Sequence, residues 1–380
     1  MKKASLLLAD GSRYDGESFG YDRNVAGELV FSTGMSGYPE SLTDPSYSGQ
    51  LLMLTYPLIG NYGVPPLTTE QNGLSRYMES GRIHAECLIV SDYSEKYSHW
   101  NGQSSLSSWL KHEQIPGISG IDTRALTQKL RSYGVMMCKV LIEGESDDIP
   151  LPDYGTVNYI SKVSCREITI YHGGMSSVMS SSTSTTGVNT HLPDDGKKKV
   201  LLVDCGVKEN IIRCLLRRGV DVVRVPWDYD FSHIRYDGLF LANGPGDPET
   251  ASATVANIRK AMGLKPEVPI FGICMGNQLL AKAGGASTYK LKYGHRSHNQ
   301  PVREIGTTRC FITSQNHGYA VDDKTLGKDW IPYFVNMNDG SNEGIRHTHH
   351  PWFSVQFHPE ASSGPTDTEY LFDEFVKIMN

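Results

Sequence analysis

Residues 269–280 read PIFGICMGNQLL, with Cys274 set between Gly272 and Gly276. An apolar run leads in and a helix-like run leads out. A strand that ends in G-x-nucleophile-x-G and turns at once into a helix makes a strained elbow, and the nucleophile projects above the sheet. The helix start adds N–H groups that lack helical partners and the positive end of a dipole, which favour a thiolate and an oxyanion. A lone thiol is more often buried and inert, so the reading needs a base. His358, in SVQFHPEAS, supplies one. A strand expected over 353–357 ends just before it, which points the imidazole out at the carboxyl edge. Glu360 can accept a hydrogen bond from the second ring nitrogen and fix the tautomer, with Pro359 making the turn between them. A third piece is LANGPGDP, residues 241–248. It is too short for a dinucleotide fingerprint and has no Walker lysine. Beside a cysteine elbow it becomes a candidate wall of an oxyanion hole. The tract His347-Thr348-His349-His350 lacks acidic or cysteine partners at ligand spacing, so an exposed loop is expected there and no metal site.

These residues need a scaffold that brings strand ends together. From residue 200 the pattern alternates: strands over 200–205, 221–226, 238–242 and 268–274, helices over 210–218 and 250–262, and a last helix over 367–379. Such alternation implies right-handed βαβ crossovers and a doubly wound, mostly parallel sheet, with sites beyond the carboxyl ends of its strands. The first half is different. Short strand-like runs over 5–9, 28–32, 51–56 and 86–91 are separated by turns, with helices over 105–112 and 122–133. The fold class expected is α/β: a β-rich α+β domain over 1–152, a linker over 153–198, and the doubly wound domain over 199–380. Within the linker, residues 172–199 are rich in serine and threonine without apolar periodicity, so a flexible segment is expected.

Composition narrows the class. The 380 residues are 39% hydrophobic and 21% charged, with a net charge of -6 and a mean hydropathy of -0.35. Nothing points to nucleic acid, and no stretch of about 18 apolar residues is present to span a membrane. The start, MKKASLLLADGS, has too short an apolar run for a signal peptide. Seven cysteines without a CxxC pair suggest neither a disulfide framework nor zinc, and a reducing, cytoplasmic location is expected.

GICMGNQ, NGPGDP and FHPE resemble the three signatures of class I, triad-type glutamine amidotransferases, a flavodoxin-like fold. FSTGMSGYPESLTDPSYSGQ, LTYPLIGNYG, GIDTRALTQKLR, LKYGHRSHNQPV and TSQNHGYAV extend the resemblance to the glutaminase subunit or domain of glutamine-dependent carbamoyl phosphate synthetases. It covers nearly the whole chain apart from the serine-rich stretch. The resemblance implies that Cys274 attacks the side-chain amide of L-glutamine, that His358 shuttles protons and that Glu360 orients it. It implies an oxyanion hole from the N–H groups of Met275 and Gly244, and glutamine contacts at Ser46, Gly244, Gly246, Met275, Gln278, Asn316, Gly318 and Tyr319. Two positions depart from the family pattern. Asn277 stands where many relatives carry histidine, and Tyr319 where they often carry phenylalanine, a change expected to have little effect. No cofactor is implied for this chain. ATP and Mg or K ions belong to the expected partner, a large synthetase subunit or fused synthetase domain that receives ammonia through a tunnel and makes carbamoyl phosphate for pyrimidine or arginine biosynthesis. The rivals are another amidotransferase, a silent regulatory domain and a cysteine peptidase. The N-terminal half argues against the first, and the intact Cys274, His358 and Glu360 argue against the second. Hydrolysis of peptides rather than glutamine would point to the third.

Overall fold

A computed structural model of the chain describes residues 2–146, 148–173 and 196–379. The chain divides into two compact units. One holds residues 1–68, 75–157 and 292–297, the other 69–74, 158–291 and 298–380. Most of the stretch expected to be flexible lies outside the described residues. The rest of the expected linker contributes a helix, Ile160–Val163, and a strand, Thr169–Tyr171, to the second unit.

The first unit is built on a closed barrel. Its strands run in the order Lys3–Leu8, Arg13–Ser18, Gly117–Ser119, Cys87–Ile89, Gln50–Leu54, Val25–Ser32 and Met136–Ile142. Closure removes the exposed edges that an open β-sheet presents. Alternation along each strand sorts side chains into two cores: Leu29, Leu51, Met53 and Val140 in one, Val30, Leu52 and Leu54 in the other. The helices sit where their caps predict. Ser105 caps Leu106–His112 by accepting from Ser108 N (3.1 Å), and Asp122 caps Thr123–Tyr133 by accepting from Ala125 N (2.9 Å).

The second unit holds a ten-stranded sheet. Four of its strands, Asp221–Pro226, Lys199–Asp204, Gly238–Leu241 and Ile270–Ile273, are neighbours in that order and pair in parallel, followed by Trp352–Val355. Adjacent residues of one strand face opposite cores: Val200 and Leu202 belong to one, Leu201 and Val203 to the other. The first core takes side chains from the helices Glu209–Arg217 and Tyr370–Ile378, the second from Ser252–Leu264 and Met275–Ala283. Helices on both faces explain why these strands read as unbroken apolar runs. Antiparallel strands extend the sheet past Trp352–Val355, among them Thr288–Glu304 and Cys310–Val321. Polar and charged residues break the hydrophobic pattern of both, and periodicity does not find them.

An aromatic cluster ties the first core to the sheet. Phe271 meets Phe240 edge to face at 5.1 Å, stacks on Phe353 at 4.5 Å and contacts Phe372 edge to face at 5.7 Å. Phe271 is fully buried at the centre of this group. Phe271→Ala should destabilise the protein by about 3–5 kcal/mol through lost contacts and a residual cavity, measured by urea unfolding.

Candidate functional site

Three neighbouring parallel strands deliver the three predicted pieces to one edge. Leu241 pairs with Gly272, and Ile273 with Val355, so the segments that follow leave the sheet side by side. At Cys274 the chain turns. Its backbone has φ 56° and ψ -102°, a positive φ that a residue with a Cβ seldom adopts. Cys274 N donates to Val355 O at 2.9 Å, and the helix Met275–Ala283 begins at the next residue. The flanking glycines are required by close approach. A Cβ on Gly272 would sit 2.6 Å from Gly276 O, and one on Gly276 would sit 2.1 Å from Leu241 O. The thiol of Cys274 is buried and donates to Asn316 O at 3.6 Å.

The base arrives on a shorter strand than expected. The strand ends at Val355 rather than at 357. Its parallel partner has already turned into the elbow, so residues 356–358 find other acceptors. Gln356 N donates to Glu343 O, and His358 N donates to Ser314 O, both at 2.9 Å. His358 is fully buried, and its Nδ1 lies 2.7 Å from Glu360 Oε1. That bond places the other ring nitrogen, Nε2, to serve the thiol. Lys208 and Asn210, just past the strand Lys199–Asp204, complete the set. Lys208 Nζ lies 3.2 Å from Glu360 Oε1, and Asn210 Nδ2 donates to Glu360 O. Spacing gave no hint of either residue, because they come from a different strand end.

The charges shift one another. Burial works against ionisation of Glu360, but Lys208, then His358 and its hydrogen bond, outweigh burial and hold the carboxyl below its usual range. Burial and Lys208 push the His358 imidazolium down. The Glu360 carboxylate, through its charge and its hydrogen bond, together with the nearby Cys274 side chain, more than offsets them and raises the imidazole above its usual range.

The glycine loop, 242–247, follows Gly238–Leu241. A Cβ on Gly244 would sit 2.1 Å from Cys205 O, and Gly246 has φ 87°, so both glycines are obligatory. Met275 is the first helical residue, where the N–H has no acceptor within the helix. Gln278 donates from Nε2 to Tyr319 O (2.9 Å) and to Gln356 Oε1 (3.2 Å). Asn277 Nδ2 donates to the same Gln356 oxygen at 3.0 Å, and its own oxygen accepts from Ser354 Oγ at 2.8 Å. An amide at 277 therefore does structural work beneath the elbow. Asn316, Gly318 and Tyr319 lie together on Cys310–Val321. The Tyr319 hydroxyl, which a phenylalanine would lack, donates to Asp247 Oδ2 at 3.0 Å. Ser46 is carried by the first unit, buried in the turn Pro45–Tyr47 where its N–H donates to Asp44 Oδ1 (2.9 Å). It is not among the residues that the second unit gathers. The histidine tract at 347–350 makes a turn in which His347 Nδ1 accepts from the N–H groups of His349 and His350, both at 3.1 Å.

The shifts set a pH window. A carboxyl held below its usual 4.5 contributes stability that is present above that pH and lost as pH falls through its folded value. An imidazole raised above 6.5 contributes below that pH and loses its contribution as pH rises through its folded value. The gap in thermal midpoint between the wild type and Glu360→Gln should therefore be widest near pH 5–6. It should close in acid, where the protonated carboxyl and the amide become equivalent. Calorimetry across pH measures it.

Two family descriptions match the chain: glutamine amidotransferase class-I over residues 201–378, and the carbamoyl-phosphate synthase small chain, CPSase domain, over residues 6–140. The multifunctional protein ura1 of Schizosaccharomyces pombe is 48% identical over 400 residues, covering 100% of this chain and 17% of that protein. The chain thus spans a small part of the length of the multifunctional relatives it matches. The carbamoyl phosphate synthase arginine-specific small chain of Eremothecium gossypii is 48% identical over 385 residues, covering 100% of this chain and 92% of the relative. Its namesake in Saccharomyces cerevisiae is 47% identical over 379 residues, covering 98% and 88%. No helix among the described residues is long and apolar enough to cross a membrane. With both of its halves matched and relatives of its own length nearly half identical, the chain belongs to the carbamoyl-phosphate synthase small-chain family and carries a class I glutamine amidotransferase domain.

Proposed function

We propose that this chain hydrolyses L-glutamine to glutamate and ammonia and delivers the ammonia to a carbamoyl phosphate synthetase subunit or domain. The observation that carries the reading is Cys274 at a positive-φ strand–helix junction, served by a buried imidazole whose Nδ1 is held by Glu360 at 2.7 Å. Cys274 Sγ attacks the side-chain amide carbon, and His358 takes the thiol proton. The oxyanion meets the N–H groups of Met275 and Gly244. The intermediate collapses, the C–N bond breaks, and the proton on His358 goes to the departing nitrogen, which leaves as ammonia. A γ-glutamyl thioester remains. Water, deprotonated by His358, attacks it; glutamate departs, and the proton returns to the sulfur. Side chains, backbone N–H groups and water supply every step, so the reading asks for no cofactor on this chain.

The remaining contacts with glutamine belong to Ser46, Gly246, Gln278, Asn316, Gly318 and Tyr319 in this reading. The partner combines the ammonia with bicarbonate and two ATP, and the metal ions that ATP needs sit there. The first unit serves as its docking surface. Carbamoyl phosphate then feeds pyrimidine or arginine biosynthesis, a reading supported by relatives of both kinds of name, an arginine-specific small chain and a multifunctional protein, each 48% identical to this chain. A cytoplasmic location suits such chemistry and the unpaired cysteines among the described residues.

Cys274→Ser should lower glutamate release by about a thousandfold or more, and His358→Asn nearly as much, because both half-reactions need the proton shuttle. Glu360→Gln should cost less, since that carboxylate transfers no proton. A glutamine-mimicking chloroketone should label Cys274 alone. Labelling of another cysteine, or normal hydrolysis by Cys274→Ser, overturns the assignment.

The isolated chain should hydrolyse glutamine slowly, and a synthetase turning over ATP and bicarbonate should raise the rate by about a hundredfold. The catalytic set is spread over separate loops, and about 1 Å of misplacement can cost that much. Glutamate release with and without the partner measures it; indifference to the partner removes the coupling.

A further inference from the structure

Tyr319 touches both sides of the ground where glutamine would sit. Its carbonyl oxygen accepts from Gln278 Nε2 at 2.9 Å, which ties it to the helix that begins at the nucleophile. Its hydroxyl donates to Asp247 Oδ2 at 3.0 Å, which ties it to the end of the glycine loop. Asp247 is well placed to pass that tether on. Its other carboxylate oxygen accepts from Glu249 N at 2.9 Å and caps the short helix Pro248–Ala251. Its carbonyl accepts from Thr250 N at 3.0 Å and from Thr250 Oγ1 at 2.7 Å. The loop is anchored at its other end by Asn243, whose Oδ1 accepts from Lys208 N at 3.0 Å. Between the two anchors lie Gly244, Pro245 and Gly246, two of them glycines with intrinsic backbone freedom.

We propose that the Tyr319 hydroxyl is a clasp that positions the glycine loop for glutamine binding, making Tyr319 a positioning residue through its side chain as well as its backbone. The proposal rests on the glutaminase reading for its substrate, while the clasp itself is a property of the loop. A loop held at one end samples more conformations, and a ligand that needs its N–H groups in place must then restrict them on binding. The phenol contributes this without touching a reacting atom. Its loss should therefore appear in the affinity for glutamine more than in the turnover of bound glutamine.

Tyr319→Phe removes one oxygen and keeps the ring, and its thermal midpoint serves as the control for folding. Hydrogen–deuterium exchange of peptides covering 243–251 should be faster in the variant than in the wild type. The KM for glutamine should rise by about threefold to tenfold, the net worth of one ordinary hydrogen bond, with a smaller fall in kcat. Unchanged exchange over 243–251 overturns the clasp. Faster exchange with an unchanged KM overturns its role in glutamine binding. A loss carried by kcat would instead place the hydroxyl in the chemistry and overturn the proposal as well. If the wild-type chain does not hydrolyse glutamine in the presence of a synthetase, the functional reading fails, and the exchange measurement still decides on the clasp.

Discussion

The second unit depends on the backbone of Cys274. A cysteine at φ 56° is held against its own preference, by roughly 1–3 kcal/mol. What holds it is the hydrogen bond from Cys274 N to Val355 O, together with the close approach of Gly276 to Leu241 O and of Gly272 to Gly276 O. These contacts require three neighbouring parallel strands in fixed register, and that register needs helices on both faces of the sheet. The elbow also ends the parallel pairing of Trp352–Val355, which releases the chain to cross to Ser314 and set His358 beside the thiol. One strained residue therefore places both the nucleophile and its base.

Burial sharpens the chemistry of that pair. Glu360, His358 and Lys208 are buried together, where an unpaired charge would be costly. Each is acceptable because the others are present. Glu360 accepts from His358 and sits beside Lys208, while Asn210 holds its backbone. The same arrangement leaves the imidazole one orientation, which keeps Nε2 directed away from the carboxylate.

Beneath the elbow a second polar group does a different job. The side-chain oxygen of Gln356 accepts from both Asn277 and Gln278, and Asn277 accepts from Ser354. The helix Met275–Ala283 is thereby linked to the strand that leads to His358. All four side chains are buried, so each bond is made in a low dielectric, where leaving a partner unmade is expensive. Tyr319 extends this linkage toward the glycine loop through its carbonyl and hydroxyl.

Local sequence determined a good deal by itself. Apolar runs and caps located four of the seven barrel strands, the capped helices after Ser105 and Asp122, and the alternating elements after residue 200 within a few residues, while Arg13–Ser18, Gly117–Ser119 and Met136–Ile142 gave no such signal. G-x-C-x-G announced a strand-to-helix turn, because only glycine tolerates the approach that the turn imposes, and that requirement is written in single residues. FHPE carried His358 and Glu360 two positions apart, so their contact was legible from that spacing. Other features were decided by tertiary structure alone. Lys208 and Asn210 meet Glu360 across some 150 residues of chain, a contact that strand order creates and no local pattern encodes. Closure of the first unit into a barrel depends on pairing between Lys3–Leu8 and Met136–Ile142, and the long strands Thr288–Glu304 and Cys310–Val321 are set by their neighbours rather than by their own mixed composition. The partner of the Tyr319 hydroxyl, Asp247, is likewise set by the fold and not by local sequence. Residue types specify what each side chain can do, and packing decides which partner is within reach.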